Sequence, residues 1–235
     1  MASPWQKSYQ YPLQEIPFDA LWGNFGAFTT IRKHRTGALI HWQEHWERWN
    51  HDLKKLRRPL PYRLGEIKDL ALSFPYPKGF PSLLRLAFDG TTLSLSVRSL
   101  PQFQPSQYQG KIFFINRSQP HLKSLNYQAV LKAITSVQNL SPPTEAILLN
   151  SKKILCEGAT TNLLFFDGET YYYNQEYALP GITQKLYIKQ HNLRPLPRNI
   201  TQANLPEIKK ILLCGSGKGV ACLTCIPELQ WKAEI

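Results

Sequence analysis

The chain has 235 residues, enough to bury a substantial core in one large domain or two small ones. A content of 43% hydrophobic and 19% charged residues is that of a folded globular protein and excludes a disordered chain, and no apolar run reaches the roughly 20 residues that span a bilayer. The net charge of +12 suggests nucleic acid, but its densest cluster, Lys54-Lys55-Leu56-Arg57-Arg58, ends a predicted helix, where cations offset the dipole and form a solvated face; the same excess suits a small anionic substrate.

In chain order, the opening MASPWQKSYQYPLQ lacks the apolar stretch of a signal peptide, so a cytoplasmic location is expected. Ala27 to Lys33 and Leu39-Ile40 read as two strands joined by a tight turn, with Gly37 available for positive φ. Trp42, Trp46, Trp49, Leu53 and Leu56 recur in alternating four- and three-residue steps, the apolar stripe of a helix that Pro59 terminates; these tryptophans are predicted core. A short helix is predicted from Gly65 to Phe74, then a hairpin of Leu83 to Phe88 and Thr92 to Leu100 around Asp89-Gly90-Thr91. Pro101-Gln-Phe-Gln-Pro-Ser-Gln has the composition of a stiff linker and places a lobe boundary between residues 1–104 and 105–235.

The second lobe is predicted to hold a strand at Lys111 to Asn116, a helix near Tyr127 to Asn139, a strand at Glu145 to Asn150 and two strands about Asp167-Gly168. A helix from Ile182 and strands at Lys210 to Cys214 and Gly219 to Ile226 complete it. Strands outnumber helices and pair mainly through hairpins, which defines an α+β class. Cys156, Cys214, Cys222 and Cys225 lie in strand-like text and suit buried thiols of a reducing compartment. Cys222-Leu-Thr-Cys225 has no second ligand pair, so no metal site is expected, and it lies inside a strand rather than at a redox strand-to-helix junction.

Glu157 sits among apolar and small residues, Ile154 to Cys156 and Leu163 to Phe166, that read as buried strand; a buried carboxylate needs a partner, and no cationic one is close in sequence. The bland reading is a structural ion pair. Leu179-Pro180-Gly181-Ile182-Thr183 opens a helix, and the free N–H groups of Ile182 and Thr183 attract an anion such as phosphate. Lys123 occupies a loop between strand and helix, from which a lysine projects either into a cleft or into solvent. Arg48 lies beside the tryptophan stripe, where its stem could equally cover the core.

At these residues the sequence resembles the class IV aminotransferase family, the fold-type IV pyridoxal-phosphate enzymes, which include D-amino-acid and branched-chain aminotransferases and 4-amino-4-deoxychorismate lyase. Glu157 to Asn162 with Leu179-Pro-Gly-Ile-Thr183 is the most specific part. Phe28-Thr29-Thr30-Ile31-Arg32 after Gly23-Asn-Phe-Gly26 is worded most like the lyases, His45-Trp-Glu-Arg48 resembles the His-x-x-Arg helix, and Leu212-Leu-Cys-Gly-Ser-Gly217 resembles a late phosphate-binding turn. The resemblance implies a two-lobed fold, an N-terminal α/β sandwich lobe and a barrel-like C-terminal lobe carrying the cofactor lysine. It implies pyridoxal 5'-phosphate attached to Lys123 in the segment His121 to Tyr127. Glu157 would face its ring nitrogen, with Arg48, Ile182, Thr183, Ser216 and Gly217 at its phosphate and Thr30 at the substrate.

The activity so implied is that of a lyase releasing pyruvate to leave 4-aminobenzoate for folate synthesis, in a homodimer acting on an amino-acid-like anion, with no nucleic acid or membrane partner. A D-amino-acid or branched-chain aminotransferase is the alternative, and a cofactor-free nucleic-acid-binding protein the reading from another class. Two departures stand out. The family's arginine after Gly-Ile-Thr is Gln184, and the Arg-Gly stretch that binds substrate carboxylate in many members is replaced by Arg85-Leu-Ala-Phe-Asp-Gly-Thr-Thr92, leaving Arg32, Arg85 and Arg98 as candidates for that contact.

Overall fold

The computed structural model describes residues 4–234. By internal contacts the chain divides into two units: the residues up to Gln104 together with Leu122–Tyr127, and Pro105–His121 together with Gln128 onward.

The first unit runs β1 (Gln6–Gln10), β2 (Gln14–Ile16), β3 (Ala27–Lys33), α1 (Trp42–Lys55), α2 (Leu64–Ser73), β4 (Ser82–Phe88) and β5 (Thr92–Ser99). Its five strands form one antiparallel sheet in the order β2-β1-β5-β4-β3. Strand alternation divides the side chains. Ala27, Ile31, Leu84, Leu86, Phe88, Leu93 and Leu95 pack with Trp49, Leu53 and Ile67 of the helices into one core. The opposite face takes its residues in cross-strand rows, Phe28 with Ala87 and Ser94, Thr30 with Arg85 and Ser96, and Arg32 with Leu83 and Arg98. The predicted second strand at Leu39 shrinks to a single bridge with Lys33, beyond Gly37 at φ 92°. Lys33 is wholly buried and donates to the carbonyls of Ala71, Leu72 and Phe74, each at 3.0 Å, closing the open C-terminus of α2.

The segment bearing Lys123 lies against β3. The Lys123 carbonyl accepts Phe28 N–H at 2.9 Å, Leu125 N–H donates to Gly26 at 2.8 Å, and the Leu125 carbonyl accepts Gly23 N–H at 2.9 Å. These main-chain bonds assign it to the first unit, which differs from the expectation that the lobe of residues 105–235 carries the lysine.

The second unit runs β6 (Gln107–Phe114), α3 (Gln128–Val137), β7 (Thr144–Leu149), β8 (Leu155–Gly158), β9 (Asn162–Phe166), β10 (Tyr171–Tyr173) and α4 (Ile182–Gln190), then β11 (Leu196–Pro197), β12 (Lys210–Gly215), β13 (Gly219–Ile226) and β14 (Trp231–Lys232). The sheet order is β11-β10-β9-β12-β13-β6-β7-β8, with β14 added to β13. Hairpins supply most antiparallel pairs, the exception being β9 with β12, whereas parallel β6 and β7 are joined through α3, as a parallel pair requires a crossover. The sheet curls on itself. Leu155 N–H donates to the Ile200 carbonyl at 2.9 Å and Ile154 bridges Thr201, so the chain following β11 at one end meets β8 at the other. Leu149, Leu155, Phe165, Ile211, Leu213 and Leu223 fill its concave core. No helix among the described residues is long and apolar enough to cross a membrane.

Candidate active site

In the second unit the site is built on β8, β9 and the turn that leads into α4. Glu157, on β8, is 4% exposed. One carboxylate oxygen forms an ion pair with Arg117, and the other accepts the N–H of Leu179 at 3.2 Å. The Leu179 carbonyl in turn accepts from Asn162 Nδ2, on β9, at 2.5 Å, so both main-chain groups of Leu179 are tied to side chains five residues apart in sequence. A Cβ on Gly181 would fall 2.0 Å from Asn162 Oδ1, so only glycine lets this turn approach Asn162 so closely. That explains why the spacing Glu157 to Asn162 and the wording Leu-Pro-Gly occur together.

Gly181 is the N-cap of α4 with no side-chain cap, and the first intrahelical bond is Lys185 N–H to Gly181 at 3.0 Å. The N–H groups of Ile182 and Thr183 therefore have no partner within the helix and stand at its positive end. Gln184, at the position of the family's arginine, is buried and donates to the Leu163 carbonyl at 2.9 Å, docking α4 on β9. Ser216 and Gly217 lie in the turn between β12 and β13.

In the first unit, His45, Arg48 and Asp52 share the face of α1 that meets β3. Thr29 Oγ1 accepts from Arg48 Nη2 at 3.2 Å and lies 2.9 Å from His45 Nδ1. The tautomer of the neutral ring sets which of the two, the hydroxyl or Nδ1, is the donor. Burial lowers the His45 pKa to about 2, reinforced by the positive charges of Arg48, Lys123 and His41. Asp52 is buried and accepts the Lys123 main-chain N–H at 3.1 Å; burial raises its pKa, opposed by that hydrogen bond and by the neighbouring cations.

The Lys123 ammonium lies over the Phe28 ring, 4.7 Å from its centroid, and 5.8 Å from that of Tyr127. On the same ring, at 5.4 Å, lies the Arg85 guanidinium, which stacks on Trp22 at 3.7 Å. Phe28, Thr30 and Arg85 thus belong to one face of the first sheet, with the Lys123 ammonium over the Phe28 ring. Arg85 is 9% exposed and donates to the Ala20 carbonyl at 2.6 Å, its Nε has no partner, and burial lowers its pKa to about 9. Arg98 is exposed and Arg32 half-buried.

Four contributors escaped the sequence reading: Arg117, Asn162 as the turn's anchor, Thr29 and Asp52. A buried acid on a helix one turn beyond Arg48 was the available signal for Asp52. Arg117 gave none, because 40 residues separate it from Glu157. The cation that sequence could not find for Glu157 is supplied from the loop after β6.

A model of the family described as amino-transferase class IV matches residues 26–225. The chain therefore belongs to that family, and it is a pyridoxal-phosphate-dependent enzyme. Among solved structures, a branched-chain aminotransferase from the archaeon Thermoproteus uzoniensis superposes with a TM-score of 0.78 at 16% identity, covering 97% of this chain and 89% of that one. An aminotransferase from Brucella abortus bound to pyridoxal phosphate gives 0.75 at 14% identity, covering 97% and 93%. A candidate 4-amino-4-deoxychorismate lyase from Legionella pneumophila gives 0.70 at 16%, covering 90% and 87%. These likenesses establish the fold, in two separate sheets as found here. No curated protein sequence matches the chain.

Two outcomes follow from the electrostatics. Replacing Arg117 with Leu leaves the Glu157 charge buried with one neutral donor, which should cost about 3–5 kcal/mol in urea unfolding, and adding Glu157→Gln should restore most of it; an unchanged midpoint would mean the pair does not form in solution. His45 is neutral in the fold down to about pH 2, whereas the unfolded chain protonates it below about 6.5. Acidification through that window should therefore lower stability by up to about 1.4 kcal/mol per pH unit beyond the loss in a His45→Gln variant; parallel stability curves for the two proteins would contradict a neutral buried ring.

Proposed function

We propose that the enzyme is a lyase of the 4-amino-4-deoxychorismate type, which splits its substrate into pyruvate and 4-aminobenzoate, a precursor for folate. The observation that carries this reading is the shared sheet face of Phe28, Thr30, Arg85 and the Lys123 ammonium, in the Phe-Thr-Thr strand that the lyases resemble. The tight β4–β5 turn supports it. Asp89 Oδ1 accepts from Thr91 N, Thr91 Oγ1 and Thr92 N at 2.8 to 3.0 Å, closing the hairpin without a projecting loop.

The residues fit pyridoxal 5'-phosphate by their chemistry: a buried carboxylate for a ring nitrogen, an uncapped glycine-led helix start for a phosphate, and an amine flanked by aromatic faces. When bound, that cofactor supplies an electron sink for the bond being broken. Lys123 attaches it, takes the α-proton of the substrate and delivers a proton later in the cycle. Glu157, paired with Arg117 and the Leu179 N–H, would face the ring nitrogen as its acidic partner. Ile182 and Thr183 would bind the phosphate through main-chain N–H groups, the Ser216–Gly217 turn through its N–H groups and the Ser216 hydroxyl, and Arg48 would add a full charge.

Thr30 orients the substrate through its hydroxyl. Of the three candidate arginines, Arg85 best suits a substrate carboxylate, since it shares the sheet face of Thr30 and lies over the Phe28 ring that also carries the Lys123 ammonium. Expulsion of the enolpyruvyl oxygen after proton removal aromatises the ring, which drives the reaction without a second substrate. The homodimer implied by the resemblance and a cytoplasmic location are part of this proposal.

Borohydride reduction followed by peptide mapping should place the cofactor on Lys123, and Lys123→Ala should abolish both attachment and turnover while the protein stays folded; a label on Lys111 or Lys132 would move the active site elsewhere. With aminodeoxychorismate alone, many equivalents of 4-aminobenzoate and pyruvate should accumulate. If turnover instead stops after one equivalent and only an added keto acid restarts it, the enzyme is an aminotransferase of the D-amino-acid or branched-chain type.

A further inference from the structure

The turn between β12 and β13 is a three-residue hairpin loop, Ser216-Gly217-Lys218, closed by the Gly215–Gly219 pair, with Gly219 at φ 73°. Such a loop takes a left-handed residue at its end, which glycine supplies. A lysine in a hairpin loop ordinarily extends into water, where its side chain keeps its rotamer freedom. Lys218 does not; its side chain is only 17% exposed. The ammonium folds back into an ion pair with Glu145, donates to Thr160 Oγ1 at 2.9 Å, and lies 4.7 Å from the centroid of the Tyr108 ring.

Glu145, on β7, is 1% exposed, so its charge is stable only if every oxygen is engaged. It accepts from Thr160 N at 2.8 Å, from Thr160 Oγ1 at 3.0 Å and from Thr161 Oγ1 at 3.2 Å. These donors occupy the turn between β8 and β9, and the same turn touches the hairpin loop from the main-chain side: a Cβ on Gly215 would stand 2.6 Å from the Thr160 carbonyl and 3.0 Å from Thr161 Cγ2. Glu145 thus joins two turns, reaching one through hydroxyls and an N–H and the other through the Lys218 ammonium. Hydrogen bonds to a buried charge are stronger than neutral ones and directional, so they limit how far the hairpin loop can rotate.

We propose that Lys218 and Glu145 form a latch that fixes the Ser216–Gly217 turn in the geometry that receives the cofactor phosphate, making Lys218 a positioning residue. The latch rests on the reading of Ser216 and Gly217 as phosphate donors. Lys218 does not touch the phosphate in this scheme. Its charge is consumed by Glu145, which also removes an uncompensated negative charge from the neighbourhood of a turn meant to hold a dianion.

The test compares the affinity of the full-length apo-enzyme, stripped from holoenzyme, for pyridoxal 5'-phosphate and for pyridoxal, which lacks the phosphate. Dissociation constants are read from the absorbance of the lysine-bound form. A general loosening of the fold weakens both ligands alike, whereas a misplaced phosphate turn weakens only the first. For Lys218→Met the advantage of the phosphorylated ligand should fall about tenfold, the loss of one charge-assisted hydrogen bond in holding the turn, with Lys218→Arg restoring most of it. Ser216→Ala should reduce the same ratio by removing a donor at the turn itself. If Lys218→Met keeps the wild-type ratio while Ser216→Ala lowers it, the latch is wrong and the phosphate reading stands; if neither substitution alters the ratio, both fall. Should Lys218→Met fail to fold, Thr160→Val, which deletes the hydroxyl shared by Lys218 and Glu145, replaces it with the same expected and overturning results.

Discussion

Withdrawing the Glu157 carboxylate from water costs several kcal/mol unless charge and hydrogen bonds replace its hydration, and the candidate site of the second unit is arranged around that requirement. One oxygen is met by Arg117, from the loop following β6. The other takes the Leu179 N–H, which fixes where the chain must pass after β10. Asn162 then holds the Leu179 carbonyl, and the lack of a side chain at Gly181 lets the next turn settle against Asn162 and start α4 there. Satisfying one buried acid thereby determines the position of an uncapped helix start.

The first unit solves a different electrostatic problem, the gathering of cations around buried His45 and Asp52. The charges of Arg48 and Lys123 both reach His45, which carries none, and both reach Asp52, buried alongside. The Thr29 hydroxyl mediates between Arg48 and the neutral ring. On the reverse face of the sheet, the aromatic rings of Trp22, Phe28 and Tyr127 contact one another at centroid distances of 4.9 to 6.0 Å and present their π-faces to Lys123 and Arg85.

The large positive net charge is accordingly not all solvated surface. Lys33 is buried against three carbonyls, Arg85 against an indole, and Arg117 and Lys218 against carboxylates. Carbonyls, an aromatic face and carboxylates stabilise them, and each ties together segments distant in sequence. Composition therefore registers these residues as a basic excess although they act as internal fasteners.

Local pattern was sufficient for much of the secondary structure. The tryptophan stripe of α1, the hairpin around Asp89-Gly90 and the strands of residues 145–166 follow from periods of 3.6 and 2 and from turn chemistry, all short-range properties. The polar strand β1 was not legible, since Gln6 to Gln10 contributes little to the core beyond Tyr9 and is held by main-chain pairing with β5. Nor was the placement of the Lys123 segment with the first unit, a consequence of backbone bonds to residues 23–28 across about a hundred positions. Family wording selected Lys123, Glu157 and the two anion-binding turns as candidates. Which groups neutralise, orient and bury them, namely Arg117, Asn162, Thr29, Asp52 and the Glu145–Lys218 pair, was decided by tertiary structure alone. A charge leaves no periodic trace of its partner in sequence, and burial, which makes the partner necessary, exists only once the sheet has closed.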